Sequence, residues 1–188
     1  MTIEENIKKI KETLTNSCRL IAVTKTHPIA AIEEAYKAGH KVYGENKVQE
    51  MVEKHEHLPK DVEWHLIGHL QTNKVKFIAP FVSLIHSVDS FKLLMEINKQ
   101  GQKAEKVIDC LLQIHIADEE TKFGFAPAEA RQLLAMDELE SFTHITIRGL
   151  MGMATLTDNE EKIRSEFRSL KKLFDEFKLL KLKNVEMK

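Results

Sequence analysis

Residues 19–44, RLIAVTKTHPIAAIEEAYKAGHKVYG, carry the pattern that decides the fold of this chain. The apolar run at 19–24 predicts a β-strand. We expect the helical stretch that follows to begin near Pro28 and to end at Gly39, because proline suits a first helical turn and glycine suits a C-terminal cap. A second apolar run at 41–44 predicts another strand. The order strand, helix, strand is typical of a βαβ unit with parallel strands.

The alternation of strand and helix continues along the sequence. An amphipathic entry helix at 3–14 is followed by six strand–helix repeats. The four later strands are predicted at 63–68, 81–88, 107–117 and 146–151, and the helices after strands two to six are predicted to begin near Glu45, near Gln71, at Asp89 or Ser90, near Pro127 and near Asn159. Crossovers between parallel strands are right-handed, which leaves an open doubly wound sheet or a closed barrel. No Gly-x-Gly-x-x-Gly fingerprint follows any strand, so the barrel is favoured.

Six repeats are fewer than the eight of a complete barrel, which usually needs about 250 residues. Residues 184–188 have the pattern of a lead-in to another strand. We therefore predict an α/β fold, a TIM (β/α)8-type barrel that lacks its last two strands, with residues 1–188 as a single domain. We expect the polypeptide to continue beyond Lys188. One apolar stripe of the last helix should pack on the barrel, and it consists of Ile163, Phe167, Leu170, Phe174 and Phe177.

The composition is that of an ordinary soluble globular protein, with 43% hydrophobic and 30% charged residues. The net charge of −1 gives no support to a nucleic-acid or anionic-membrane partner. Because the sequence shows neither a signal peptide nor a membrane span, we expect a cytoplasmic protein. Cys18 and Cys110 do not form a disulfide framework or a zinc pattern, and both are predicted to be buried, reduced thiols. No cysteine or carboxylate set completes a metal shell around the histidines, so no metal is predicted.

Lys25 ends the first predicted strand and is the first candidate for a functional residue. Parallel barrels place their sites on the loops that follow the strands. A lysine at this point should direct its amine into the mouth of the barrel, where partial burial disfavours the ammonium form. The neutral amine is the nucleophile with which an aldehyde cofactor forms a Schiff base. On position alone, a lysine that extends from a strand end into solvent is the more frequent case, and spacing does not decide between the two.

Six motifs resemble those of the YggS/PROSC-type pyridoxal phosphate homeostasis proteins and occur in the same order. They are AVTKTHP at 22–28, YGENKVQE at 43–50, WHLIGHLQTNK at 64–74, HSVDS at 86–90, ETKFGF at 120–125 and RGLM at 148–151. Each motif alone is weak, but the combination is highly specific and covers the chain from about Leu20 to Met151.

The resemblance implies a barrel similar to that of alanine racemase, which is fold type III of the pyridoxal phosphate proteins. It implies pyridoxal 5′-phosphate as the cofactor, and Lys25 as the lysine that holds it in a Schiff base. Members of the family influence cellular vitamin B6 and amino-acid balance, with no established turnover. No catalytic residue is therefore predicted.

Four further residues are predicted to bind the cofactor: Asn46, His65, Met151 and Lys122. Asn46 and Met151 match the family's motifs, although an asparagine after a strand is often a helix cap and a methionine is often part of a core. For His65, and for the weaker candidate His69, a hydrogen-bonded structural role is the alternative. Lys122 would supply a second amine for a phosphate or a transferred cofactor, and the alternative is an exposed loop lysine.

The sequence departs from the family in two respects. Family members grip the phosphate with a loop after strand seven and a segment after strand eight, and an arginine from this region faces the pyridine nitrogen in the fold type. Neither segment occurs in residues 1–188. Family members also often have a lysine where this chain has His27, which weakens the idea of a transfer between two lysines.

Three functions remain open at this point. The first is a monomeric, non-catalytic carrier that binds pyridoxal phosphate and delivers it to apoenzymes. The second is an amino-acid racemase or decarboxylase that uses the same cofactor, but racemisation needs acid/base groups on both faces of the substrate. The sequence offers only Tyr36 and Tyr43 as tyrosines for such a role, the first inside a predicted helix. The third is a binding module unrelated to the cofactor, and we favour the carrier.

Overall fold

A computed structural model describes residues 1–15, 17–118 and 123–188 of the chain. Within these residues, six strands and eight α-helices alternate. The strands are β1 (Ala22–Val23), β2 (Val42–Glu45), β3 (Glu63–Leu66), β4 (Val82–Val88), β5 (Ile108–Ile114) and β6 (Ile145–Gly152). The helices are α1 (Ile3–Thr13), α2 (Ile29–Lys37), α3 (Val48–His57), α4 (Val75–Ile78), α5 (Phe91–Lys103), α6 (Pro127–Leu134), α7 (Asp137–Glu140) and α8 (Glu160–Lys178), and a short 3-10 helix, Thr72–Lys74, precedes α4.

The strands pair in the order in which they occur in the sequence, from β1 to β6. Each neighbouring pair is parallel. A doubly wound sheet reverses its strand order, whereas the wall of a (β/α) barrel keeps it. Right-handed crossovers that all step in one direction also place their helices on one face of the sheet. The predicted α/β, TIM-type barrel architecture is therefore confirmed, and six strands of its wall are described.

The core lies between the sheet and the helices. Tyr43 and Trp64 are fully buried on the helix side of their strands, where the core also contains Ile32 of α2 and Met51 of α3. We call the opposite face of the sheet the inner face, because it lines the interior of a barrel. Side chains on the inner face are less covered, and Val23 is 48% exposed.

The segment after α8 returns to the sheet beside β6. Val185 forms a parallel bridge with Ile147. The N–H of Ile147 donates to the carbonyl oxygen of Asn184 at 2.9 Å, and the N–H of Glu186 donates to that of Ile147 at 2.8 Å. Val185 is also buried. The pattern that predicted a lead-in to another strand therefore corresponds to a strand-like pairing.

Several element boundaries differ from the predictions, and two of the differences lie next to Lys25 and Asn46. The first strand was predicted at 19–24, but β1 contains only Ala22 and Val23, which pair with β2 on one side. The helix predicted to begin near Glu45 begins at Val48, because Glu45 continues β2 and is fully buried there.

Two predictions of burial, one for a cysteine and one for α8, are wrong. Cys110 is buried as predicted, but Cys18 is exposed because it lies in the loop between α1 and β1. In α8, Phe167 was assigned to the packed stripe but is 45% exposed. The helix instead contacts the core mainly through its second half, where Leu173 and Phe177 are buried.

Candidate functional site

Lys25 lies in a β-turn directly after β1. The N–H of His27 closes the turn by donating to the carbonyl oxygen of Thr24 at 3.0 Å. The N–H of Thr24 in turn donates to the carbonyl oxygen of Gly44 at 3.0 Å, so the pairing with β2 extends to this point. Lys25 is therefore at the carboxyl end of its strand, which is the end at which parallel barrels carry their sites.

The side chain of Lys25 is exposed, and its Nζ forms no hydrogen bond or ion pair with any residue that the structure describes. Thr24 faces the helices, since its hydroxyl donates to Glu45 at 2.5 Å. Alternation along a strand then directs Val23 toward the inner face, and Lys25 follows two residues later, in the turn. The prediction of a partly buried amine is wrong, because β1 is an edge strand of the described sheet and leaves the side chain uncovered.

Asn46 directly follows β2, the strand next to that of Lys25. It is half-buried and does not cap α3, whose N-cap residue is Lys47. Its backbone lies against Gly68 in the loop after β3, where an added Cβ would come within 2.4 Å of the Asn46 carbonyl oxygen. Glycine at position 68 thus allows the two loops to approach, and the site brings Lys25 and Asn46 to neighbouring strand ends.

His65 forms a pair with His86 of β4. The register of β3 places His65 opposite Gly44, and the side chain is 4% exposed. Its Nδ1 lies 3.0 Å from Nε2 of His86, so that one ring donates and the other accepts. Burial lowers the pKa of each histidine to about 4, helped by the charge of Arg19 at His65 and by the neighbouring ring at His86. Both imidazoles are therefore neutral near pH 7. The hydrogen bond between them is the structural role that the sequence left open as an alternative for His65.

The remaining candidates are His69, Met151 and Lys122. His69 is exposed, its Nδ1 lies 3.1 Å from a carboxylate oxygen of Asp89, and its ring stacks on another ring. Met151 is half-buried near the carboxyl end of β6, opposite Gln113, at the other edge of the sheet from β1. Lys122 lies outside the described residues.

A buried charged cluster beneath the turn after β1 was not identified from the sequence. Lys54 is 4% exposed and Glu45 is fully buried, and their side chains form an ion pair of 2.7 Å. Lys54 also donates to Glu50 at 2.7 Å and to the carbonyl oxygen of Thr24 at 2.8 Å. The hydrogen bond with Lys54 is the main cause that lowers the pKa of Glu50. The signal available in the sequence was the YGENKVQE motif, which contains both carboxylates.

Other kinds of site find less support in the described part of the chain. A cavity of about 430 Å³, lined in part by Arg19, His40 and Glu63, lies at the amino ends of the strands, away from the turn after β1. The described residues contain no group of three or more His, Cys, Asp or Glu side chains that could hold a metal ion. None of the described helices has the length and apolar character needed to cross a membrane.

Sequence comparisons identify relatives along nearly the whole chain. The model of the alanine racemase N-terminal domain family matches residues 1–187. The pyridoxal phosphate homeostasis protein of Haemophilus influenzae is 35% identical over 191 residues, which cover 95% of this chain and 80% of the relative. The protein of the same name from Aquifex aeolicus is 41% identical over 162 residues, which cover 86% of this chain and 70% of the relative.

Solved structures give the same assignment. PipY of Synechococcus elongatus without pyridoxal phosphate matches with a TM-score of 0.92 and 32% identity, covering 99% of this chain and 86% of PipY. PipY with pyridoxal phosphate bound matches with a TM-score of 0.87. Alanine racemase of Clostridium difficile, at 15% identity and a TM-score of 0.73, shares the fold over 92% of this chain and 46% of the racemase. The resemblance found in the six motifs is confirmed: the chain belongs to the alanine racemase N-terminal domain family and, within it, to the pyridoxal phosphate homeostasis proteins.

Proposed function

We propose that this protein binds pyridoxal 5′-phosphate on Lys25 as a Schiff base, without turnover, and thereby serves as a carrier in the homeostasis of the cofactor. The observation that carries the proposal is the amine of Lys25 at the carboxyl end of β1, which forms no hydrogen bond or ion pair with the described part of the chain. The chain is also 32% identical to PipY, whose structure has been solved with pyridoxal phosphate bound.

The residues around Lys25 fit such a ligand. Pyridoxal phosphate supplies an aldehyde, with which Nζ of Lys25 condenses while one water molecule is released. The side-chain amide of Asn46, at the next strand end, forms no hydrogen bond with a described residue and so can donate to or accept from a ligand. Met151 and Lys122 stay predictions as further contacts.

The tyrosines favour a carrier over a racemase. Tyr43 is fully buried on the helix side of β2, donates to the carbonyl oxygen of His40 at 2.6 Å, and burial raises its pKa to about 12. Tyr36 lies on α2 and donates to Asp61 at 2.7 Å. Neither hydroxyl faces the inner side of the sheet, where an acid/base group for racemisation would be needed. In the carrier role, the protein would be a cytoplasmic monomer that releases the cofactor to apoenzymes. Release is possible because the condensation of an aldehyde with an amine is reversible.

Chemical trapping tests the proposal directly. The full chain is mixed with pyridoxal phosphate and reduced with borohydride, and the modified peptide is identified by mass spectrometry. We expect one secondary-amine adduct on Lys25, which is absent in Lys25→Ala and in Lys25→Arg. The variant Lys37→Ala, which removes an exposed lysine of α2, serves as the control and should trap as the wild type does.

Two results would contradict the proposal. Absence of an adduct on Lys25 in the wild-type protein would show that pyridoxal phosphate is not bound there as a Schiff base. Formation of D-alanine from L-alanine by the loaded protein would replace the carrier with a racemase.

A further inference from the structure

We infer that Glu50 and Lys54 of α3 are positioning residues, which hold the turn from Thr24 to Thr26 in the conformation that presents Lys25 to its ligand. The inference rests on the proposed function, because it assigns a role at the same site. Neither side chain is proposed to touch the cofactor.

Lys54 fixes one side of the turn. An ammonium group has three N–H donors, and those of Lys54 reach the carbonyl oxygen of Thr24 at 2.8 Å, Glu45 at 2.7 Å and Glu50 at 2.7 Å. The ammonium is buried, and a buried charge persists only when it is paired and hydrogen-bonded. The position of the Thr24 carbonyl group is therefore tied to that of α3.

Glu50 fixes the other side of the turn. The carboxylate oxygen that accepts from Lys54 also accepts the N–H of Thr26 at 2.7 Å. Thr26 has a φ of 66°, in the left-handed region that β-branched residues rarely adopt. Such a conformation persists only where surrounding contacts hold it. The residues before and after Lys25 are thus both held by side chains of α3, while the Lys25 side chain has no polar partner among residues 1–15, 17–118 and 123–188.

The charges of the cluster decide which residue is suitable for a test. Removal of the Lys54 ammonium would leave the fully buried carboxylate of Glu45 without a cation, which is strongly destabilising. Removal of the Glu50 carboxylate leaves Lys54 and Glu45 as a balanced pair of opposite charges. The Glu50 side chain is also 24% exposed, so we expect Glu50→Ala to fold.

The experiment compares the wild type with Glu50→Ala, Glu50→Gln and the control Glu53→Ala, which removes an exposed carboxylate from the same helix. Pyridoxal phosphate is titrated into each full-length protein, and the borohydride-trapped adduct on Lys25 is quantified. Exchange of the Thr26 amide hydrogen is measured by NMR without ligand, and thermal unfolding is recorded in parallel. The exchange rate reports how firmly the N–H of Thr26 is hydrogen-bonded to residue 50, independently of any ligand.

We expect Glu50→Ala to bind about tenfold more weakly or worse, because small misplacements of a reacting group are costly. Its Thr26 amide should exchange faster than in the wild type. Glu50→Gln keeps an oxygen that accepts the Thr26 N–H and should restore most of the binding, whereas Glu53→Ala should behave as the wild type.

Three outcomes would contradict the inference, and they distinguish its failure from failure of the proposed function. If the wild type traps on Lys25 and folded Glu50→Ala traps equally well at every concentration, the positioning role is wrong and the carrier function stands. If Glu50→Gln is as impaired as Glu50→Ala, the hydrogen bond to Thr26 is not the means of positioning. If the wild type itself does not trap on Lys25, the carrier proposal fails, and the positioning role with it.

Discussion

Gly68 stands where the loop after β3 passes closest to the backbone after β2. An added Cβ would lie 2.4 Å from the carbonyl oxygen of Asn46 and 2.7 Å from its Cα, both of which belong to the main chain and cannot swing aside. We therefore expect Gly68→Ala to lower the free energy of unfolding by about 1–3 kcal/mol, as overpacked substitutions do. Urea denaturation monitored by tryptophan fluorescence measures the change.

Gly149 provides the matched comparison for Gly68. A Cβ at Gly149 would find its nearest neighbour, in Leu111, at 3.5 Å, which is an ordinary contact. Gly149→Ala should therefore change the free energy of unfolding by less than about 1 kcal/mol, in either direction. Equal losses in the two variants would show that the close approach at Gly68 does not constrain the loops.

The position of Lys25 could be predicted from the sequence, but its surroundings could not. An apolar run that ends in a lysine locates the residue at a strand end, because strand patterns are local. The contacts of Lys54 with Glu45 and with Thr24, which is 30 residues away in the chain, arise only from packing of α3 on the sheet. Lysine and glutamate are also seldom buried, so composition gives no indication of a buried ion pair there.

Helix α8 packs on the sheet through a narrower stripe than its sequence predicted. Leu173 is 3% exposed, whereas Phe167, six residues earlier, is 45% exposed. We expect Leu173→Ala to lower the free energy of unfolding by about 2–5 kcal/mol, as loss of a buried leucine side chain does. Phe167→Ala should change it by less than about 0.5 kcal/mol, as at other surface positions. Thermal unfolding of the two variants measures both changes. A larger loss of unfolding free energy in Phe167→Ala than in Leu173→Ala would be inconsistent with this packing.

The number and order of the strands and the main helices were predictable, and several of their ends were not. The alternation of apolar strands with helical periodicity is a strong signal because it extends over the whole chain. The start of α3 was misplaced because Glu45 reads as a polar helix residue although it extends β2. The helix predicted near Gln71 is a 3-10 turn followed by the four-residue α4, since a short polar stretch carries little periodicity.

The stability of the whole molecule should depend on pH through its buried histidines. The pKa of His65 and that of His86 fall from 6.5 to about 4 in the folded state. Burial also lowers the pKa values of His40 and His55. The histidines of the unfolded chain therefore begin to bind protons near pH 6.5, whereas these buried histidines of the folded chain do so only at lower pH. Stability should be highest above pH 6.5 and should decrease between pH 6.5 and 4, by up to about 1.4 kcal/mol per pH unit for each of His65 and His86.

A double variant, His65→Gln with His86→Gln, tests the origin of this pH dependence. Its free energy of unfolding, measured by urea denaturation at intervals from pH 7 to 4.5, should vary less steeply than that of the wild type. His27→Gln, which removes an exposed imidazole, should leave the slope unchanged. A double variant with the wild-type slope would assign the pH dependence to other groups.

The sequential strand order has a consequence for the way in which the chain acquires its structure during synthesis. Each strand from β2 to β6 pairs with the strand that leaves the ribosome just before it. Every new repeat therefore finds a partner already present, and the entropy lost in closing each loop stays small. The polypeptide can therefore extend its sheet one repeat at a time as it is synthesised, each new strand pairing at the growing edge.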